Sequence, residues 1–98
     1  LFSSLSIDIG DNCLIAPFAY FVDANHGIKG NKLINQQDLK AKPIKIHNDV
    51  WIGANVTIIG GVEIGEGSVI ASQSLVNKNI PSYSVYGGIP AKFIKDRA

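Results

Sequence analysis

The sequence predicts an all-β solenoid, in which short parallel strands stack in successive coils. The main support is a six-residue period, because an aliphatic residue recurs at every sixth position through the second half of the chain. A helix would repeat near 3.6 residues and a single strand near two, so neither explains this period. A short strand followed by a turn does explain it, provided that like positions stack on one another. The recurring residues are Ile46, Ile52, Ile58, Ile64, Ile70 and Val76.

A second position of the repeat supports the same frame. Four residues after each aliphatic residue stands a small or β-branched residue, which suits a strand facing a narrow interior. The frame also occurs earlier, at Ile9, Ile15 and Phe21, so nine hexads can be placed in 9–26 and 46–81. Three hexads close one triangular coil, which predicts about three coils. The second position is occupied by Val50, Val56, Val62, Ser68, Ser74 and Ile80.

The corners between hexads need tight turns, and the sequence supplies residues that tolerate them. Asp11-Asn12, Asn48-Asp49 and Glu66-Gly67 fall at such corners. Glycine and asparagine accept the left-handed backbone conformation that a one-residue corner requires. We therefore expect one such residue at each of these corners.

Two stretches leave the hexad frame. Residues 27–45 are polar and lysine-rich, and we interpret them as a loop that protrudes from one corner of the solenoid. Residues 82–98 contain Gly87-Gly88 and Pro90 and are interpreted as an irregular C-terminal cap. Within this cap, Ala91–Arg97 is expected to form a short strand or a helical turn.

The composition is that of one globular domain, residues 1–98. Hydrophobic residues make up 46% of the chain and charged residues 17%, which excludes a disordered tail. The net charge of +1 and the absence of a recognition motif exclude a nucleic-acid-binding protein. No apolar run approaches the roughly 20 residues of a membrane span. Since no signal peptide can be recognised, a cytoplasmic location is expected.

A domain of this size buries little surface, so self-association is expected to stabilise it. The chain has no methionine, and Leu1 runs directly into a patterned segment. We therefore expect that the sequence is truncated at its N-terminus.

Three local features accompany the hexads: His26 directly before the loop, Asp49–Val56 (DVWIGANV), and the ending Tyr86–Lys95 (YGGIPAKFIK). In this combination the chain resembles the hexapeptide-repeat acyltransferases of the sugar O-acetyltransferase type, which acetylate lipopolysaccharide, capsule, maltose or galactoside acceptors. The resemblance extends from about Ile7 to Lys95. It implies a left-handed parallel β-helix and an enzyme that uses acetyl-coenzyme A as co-substrate without a metal ion.

The resemblance makes His26 the candidate general base for direct transfer of the acetyl group to a hydroxyl. Imidazole titrates near neutrality and can accept the hydroxyl proton. Asp23, Asn25 or a backbone carbonyl would orient it, although Asn25 can equally be read as a buried corner residue. His47 occupies an outward position and is interpreted as a surface residue. Cys13 occupies an inward position and is interpreted as a small core residue, not a nucleophile.

The resemblance also implies a set of coenzyme A contacts. Trp51 would lie near the coenzyme cleft, although an aromatic residue at a solenoid corner can also pack against a subunit or the loop. The lysines near the C-terminus would face the coenzyme phosphates, for which ammonium groups are suitable partners, or would only increase solubility. The implied contacts are Trp51, Gly53, Ala54, Ala71, Ser72, Lys78, Pro90, Lys92 and Lys95.

The resemblance finally implies a homotrimer with its active sites between subunits, acting in polysaccharide biosynthesis. The acceptor would be a sugar or another small hydroxyl compound. Two other functions stay open at this point. One is a non-catalytic scaffold or an inactive fragment of such an enzyme. The other is a γ-type carbonic anhydrase, which needs three histidine ligands, whereas the chain has only His26 and His47.

Overall fold

The computed structural model describes residues 7–22, 24–26, 30, 32–36 and 39–97. The regular structure of these residues is β apart from one short 3₁₀ helix. The elements in chain order are β1 (Ile7–Ile9), β2 (Leu14–Ile15), β3 (Tyr20–Val22), β4 (Ala24–His26), the 3₁₀ helix η1 (Ile34–Gln36), β5 (Leu39–Ala41), β6 (Ile44–Ile46), β7 (Trp51–Ile52), β8 (Thr57–Ile59), β9 (Glu63–Ile64), β10 (Val69–Ile70), β11 (Leu75–Val76), β12 (Ser84–Gly87) and β13 (Lys92–Asp96).

The solenoid strands form three parallel sheets, one for each side of a triangular coil. The first sheet contains β1, β6 and β9, and the third contains β3, β8 and β11. The second sheet contains β2, β7, β10 and β12, with β13 antiparallel at its edge. Ile46 pairs with Ile64, 18 residues further on, as three hexads per coil predict. The all-β solenoid is thereby confirmed.

The burial of the repeat positions confirms the hexad frame. In the second and third coils every recurring aliphatic residue is at most 1% exposed. The second repeat position is buried as well, from Val50 to Ile80. The buried serines among these bond to backbone carbonyls, as Ser68 Oγ does to the carbonyl of Pro81 at 2.6 Å. Cys13 packs partly against this core, and its thiol donates to the carbonyl of His47 at 3.2 Å.

The corners have the left-handed backbone conformation that the sequence predicts. We call the corner between the first and second sheets the first corner, and that between the second and third sheets the second corner. At each of them a residue with φ near +60° recurs from coil to coil, so the same turn is built repeatedly. These residues are Asn12, Asp49, Gly67 and Tyr83 at the first corner, and Phe18, Asn55 and Gln73 at the second.

The inserted segment is more ordered than the predicted loop and begins earlier. Ile9 pairs with Ile46, 37 residues further on, which leaves 19 residues beyond the regular offset of 18. At the base of this insertion β4 pairs antiparallel with β5, so that Asn25 faces Lys40 and His26 faces Leu39. His26 and Asn25 therefore stand on a hairpin, and the prediction that they end a hexad of the solenoid is wrong. The hairpin leaves from the third corner, between the third and first sheets.

The C-terminal segment continues the solenoid, so the prediction of an irregular cap after Pro81 is wrong for its first part. Ile80 bridges to Ile64, and β12 pairs in parallel with β10, both with an offset of 16 residues. A loss of two residues keeps the inward and outward alternation of a strand. As a result Ser84 is buried, as Ser68 is one coil earlier. The expected strand in Ala91–Arg97 is confirmed as β13.

Candidate functional site

The outer surface of the second sheet carries a ladder of apolar side chains, which we call the second face. Leu14, Trp51 and Val69 are aligned in successive coils, and Val85 follows Val69. Trp51 is 55% exposed, so its ring is available to another molecule. Lys95 of β13 is paired with Val85 and thus extends the same ladder. Strands are about 4.8 Å apart, so Trp51 and Lys95 are separated by about 14 Å along one face.

A cavity of ≈ 310 Å³ lies at the start of this ladder. Its apolar part is formed by the side chains beside Trp51, and its polar rim by residues of the first corner. An aromatic ring next to polar groups can take a ligand that is partly apolar and partly hydrogen-bonding. The cavity is lined by Asn12, Leu14, Asp49, Val50, Trp51, Val69 and Arg97.

The second corner borders the other side of the second face and is built from small residues. Gly53 is buried, and a Cβ atom there would lie 2.7 Å from both the amide nitrogen and Oγ of Ser72. Ser72 Oγ accepts a hydrogen bond from the amide of Ala54 at 3.2 Å. Ala71 follows in the next coil, where its methyl group would be 2.8 Å from a Cβ at Gly87. This corner lets another molecule approach the backbone closely.

The last strand carries the predicted phosphate-binding lysines. Lys92 pairs with Gly87 beside the second corner, and Lys95 pairs with Val85 on the second face. Both side chains are exposed. Pro90, also exposed, lies in the turn between β12 and β13. The structure therefore brings most of the predicted coenzyme contacts to one face and its adjoining corner.

The remaining predicted residues lie elsewhere. Lys78 is exposed at the third corner, between β11 and the Ile80 bridge. His26 and Asn25 stand on β4, in the hairpin that leaves from that same corner in the first coil. Asp23 lies outside the described residues. In a triangular solenoid the third corner is opposite the second face, so one chain does not place the start of this hairpin beside Trp51.

Sequence analysis did not identify the group of residues at the first corner that binds the last strand. Arg97 Nη1 donates to Asp49 Oδ2 at 2.8 Å and to the carbonyl of Gly67 at 2.9 Å. The hydroxyl of Tyr83 donates to Glu66 Oε2 at 2.6 Å, which raises the pKa of the phenol. The hydrogen bond to Asp49 likewise raises the pKa of the Arg97 guanidinium. The only available signal was that Asp49 stands at a predicted corner.

A second cavity, of ≈ 240 Å³, opens on the first sheet side of the same corner. His47 Nε2 and Glu63 Oε2 are 2.5 Å apart on its wall, and this hydrogen bond lowers the pKa of the Glu63 carboxyl. Both side chains are partly exposed, at 35% and 52%. His47 is thus a surface residue, as the sequence indicated, but it is paired.

Metal-binding clusters and membrane spans can be judged for the described part of the chain. Within it, no three side chains of His, Cys, Asp or Glu come together in a way that could hold a metal ion. Among the same residues, none of the helices has the length and apolar character needed to cross a membrane.

Comparison with known proteins agrees with the repeat. The family model described as bacterial transferase hexapeptide (six repeats) matches residues 43–78. The galactoside O-acetyltransferase of Escherichia coli K12 is 40% identical over 91 residues, covering 93% of this chain and 44% of the relative. A putative lipopolysaccharide biosynthesis O-acetyl transferase of the same organism is 36% identical, covering 92% of this chain and 50% of the relative. The chain thus spans about half the length of these relatives.

A solved structure gives the same result in three dimensions. A hexapeptide-repeat acetyltransferase of Vibrio cholerae, in complex with acetyl-coenzyme A, superposes with a TM-score of 0.87 and 41% identity. The match covers 94% of this chain and 50% of the other. A superposition of this quality preserves the hand of the coils. The solenoid is therefore the left-handed parallel β-helix of these proteins, an exception to the usual right-handed crossover.

Proposed function

The chain belongs to the hexapeptide-repeat family, and from this premise we propose that it is part of an acetyl-coenzyme A-dependent O-acetyltransferase. The acceptor in this proposal is a hydroxyl of a sugar or another small molecule. The observation that carries the proposal is the second face, where an exposed Trp51, a corner of small residues and Lys95 are aligned in a fold shared with an acetyl-coenzyme A complex.

Coenzyme A is a substrate in this proposal, and the second face suits its chemistry. It is an elongated molecule with an apolar thioester arm and several phosphate groups. Lys92 and Lys95 would bind the phosphates through ammonium groups, and Pro90 would line the same end. Trp51 and the small residues at Gly53, Ala54, Ala71 and Ser72 would line the arm. Lys78, at the opposite corner, would contribute only from another subunit.

His26 is the proposed general base. Its imidazole accepts the proton of the acceptor hydroxyl while the hydroxyl oxygen attacks the thioester carbonyl. A carbon–oxygen bond forms, the carbon–sulfur bond breaks, and the imidazolium returns the proton to the departing thiolate. Asn25 or Asp23 would hold the imidazole in the productive tautomer. No acyl-enzyme is needed, and the half-buried thiol of Cys13 is already engaged with a backbone carbonyl.

Assembly completes the proposed site. Since the hairpin of His26 leaves from the corner opposite the second face, the base and the coenzyme contacts would come from different subunits. A cyclic homotrimer meets this requirement, because a heterologous interface with threefold rotation closes and repeats one site three times. In this proposal the acceptor would be a sugar of a polysaccharide precursor, by analogy with the galactoside and lipopolysaccharide enzymes.

The first experiment compares His26→Ala and His47→Ala in an assay of thiol release from acetyl-coenzyme A with a panel of sugar acceptors. Loss of a general base lowers kcat by about 10²–10⁴-fold with little change in KM for the coenzyme. His47→Ala is the matched control, because it removes the other histidine and leaves activity unchanged. Full activity of His26→Ala would refute the role of His26. A wild-type chain that consumes no acetyl-coenzyme A with any acceptor would favour a non-catalytic solenoid.

The second arm of this experiment tests the division between subunits. His26→Ala and Lys95→Glu are each expected to be poorly active alone, since one lacks the base and the other repels the phosphates. Unfolding and refolding the two variants together should restore part of the activity, because some interfaces then contain both intact halves. Light scattering on the wild type should give a trimer. A mixture no more active than its components would refute the shared site.

A further inference from the structure

Arg97 connects the last strand to the middle of the solenoid. Its amide donates to the carbonyl of Tyr83 at 2.8 Å, which continues the pairing of β13 with β12. Its guanidinium then passes the coil of Gly67, where it donates to the carbonyl, and ends on Asp49 one coil further. One side chain therefore binds residues of three successive coils at the first corner.

This contact contributes little to folding, because both partners are exposed. The side chain of Arg97 is 44% exposed and that of Asp49 is 55% exposed. Ion pairs of such exposure have a small effect on global stability. Its stronger effect is on geometry, since every residue of β13 is exposed and the strand pairs only with β12 among the described strands.

The strand that Arg97 restrains is the one that carries the lysines. Alternate residues of a strand project from the same side. Lys95 and Arg97 are two residues apart on β13, and Lys95 is paired with Val85 on the second face. Asp49 and Arg97 also form the rim of the cavity beside Trp51. The ion pair therefore joins the two ends of the ladder on which the coenzyme would lie.

We propose that Arg97 and Asp49 act together as positioning residues that hold β13, and with it Lys95, at a fixed distance from Trp51. The inference rests on the proposed function, because it concerns the affinity of that same site for acetyl-coenzyme A. Arg97 acts here through Asp49 and not by binding a phosphate directly. The nitrogen Nη1 already donates to two acceptors, the Asp49 carboxylate and the Gly67 carbonyl.

The test measures KM for acetyl-coenzyme A, kcat and the melting temperature for Asp49→Asn, Arg97→Gln and the double variant. Loss of a surface pair of this strength should raise KM about fivefold, with kcat within twofold and the melting temperature unchanged. Because the two residues act as one unit, the double variant should equal the stronger single variant. Arg97→Lys, which keeps one ammonium donor for Asp49, should recover part of the affinity.

Glu63→Gln is the matched control. It removes a carboxylate of similar exposure, 52%, from a surface pair that is remote from β13, and KM should stay unchanged. If Arg97→Gln raises KM while Asp49→Asn does not, Arg97 binds the coenzyme directly and the positioning role is wrong. Unchanged KM in both variants, in an active wild type, also overturns it alone. A wild type that neither binds nor consumes acetyl-coenzyme A overturns the proposed function together with this inference.

Discussion

The first coil and the second coil have the same repeat but differ strongly in burial. At equivalent positions of paired strands, Ile9 and Ile15 are 43% and 41% exposed, whereas Ile46 and Ile52 are at most 1% exposed. The side chains are identical, and so are their places in the hexad. Only Phe21 among the recurring aliphatic or aromatic residues of the first coil is fully buried.

The difference shows that a hexad directs a side chain inward without burying it. Burial comes from the coils stacked above and below, as expected for a structure in which each repeat contacts only its neighbours. The second coil has a neighbour on each side. At the other end of the solenoid, the edge-to-face pair of Tyr86 and Phe93, with centroids 5.8 Å apart, joins β12 to β13.

The largest predicted effect is a difference between two isoleucines of one column. Ile52→Ala should lower the free energy of unfolding by about 3 kcal/mol, because it leaves a cavity in a fully buried site. Ile15→Ala, in the first coil, should cost about 1 kcal/mol, since the side chain is already partly in water. Urea denaturation of both variants measures the difference. Equal losses would show that the first coil is covered in solution.

A second pair of variants compares the first corner with the inserted segment. Gly67 has φ of +73°, and a Cβ there would lie 2.4 Å from two carbons of the Tyr83 ring. Gly67→Ala should therefore destabilise by about 1–3 kcal/mol through backbone strain and displacement of the ring. At Gly30 no atom of the described residues lies within 4 Å of the place that a Cβ would take, so Gly30→Ala should have almost no effect. Thermal unfolding distinguishes them, and an equal change in both would contradict the corner geometry.

The smallest predicted effect is a pH dependence at the His47–Glu63 pair. The hydrogen bond from His47 lowers the pKa of Glu63, so folding favours the ionised carboxyl. The stabilisation is present above the ordinary glutamate pKa of about 4.3 and is lost as the pH falls through the lowered value. Between pH 7 and pH 3, Glu63→Gln should lose slightly less stability than the wild type. Superimposable profiles would show that this pair has no net effect.

Much of the fold could be predicted from the chain because the period of six is local. The inward residues from Ile46 to Val76 and the corner at Asp49 follow from spacing and residue type. The antiparallel pairing of β4 with β5 could not be predicted, because β5 lies within the polar stretch that breaks the period. The strand β12 was missed because a two-residue deletion after Val76 shifts the frame without changing which side chains face inward.

The candidate site was predictable to the same extent. Trp51 and Lys95 were identified from local motifs, and their alignment on one face follows once the coils stack in register. The contact between Arg97 and Asp49 joins residues 48 positions apart, and no local pattern in either segment indicates it.

The amino-acid sequence was sufficient to assign each residue of the repeat to the inside or the outside, because this choice depends on strand alternation and on corner residues. Stacking of the coils determined how deeply Ile15 and Ile52 are buried. Stacking also brought Arg97 to Asp49 and separated the hairpin of His26 from the second face. The physical reason is that direction is a property of a single hexad, whereas burial and proximity depend on which coil lies next to it.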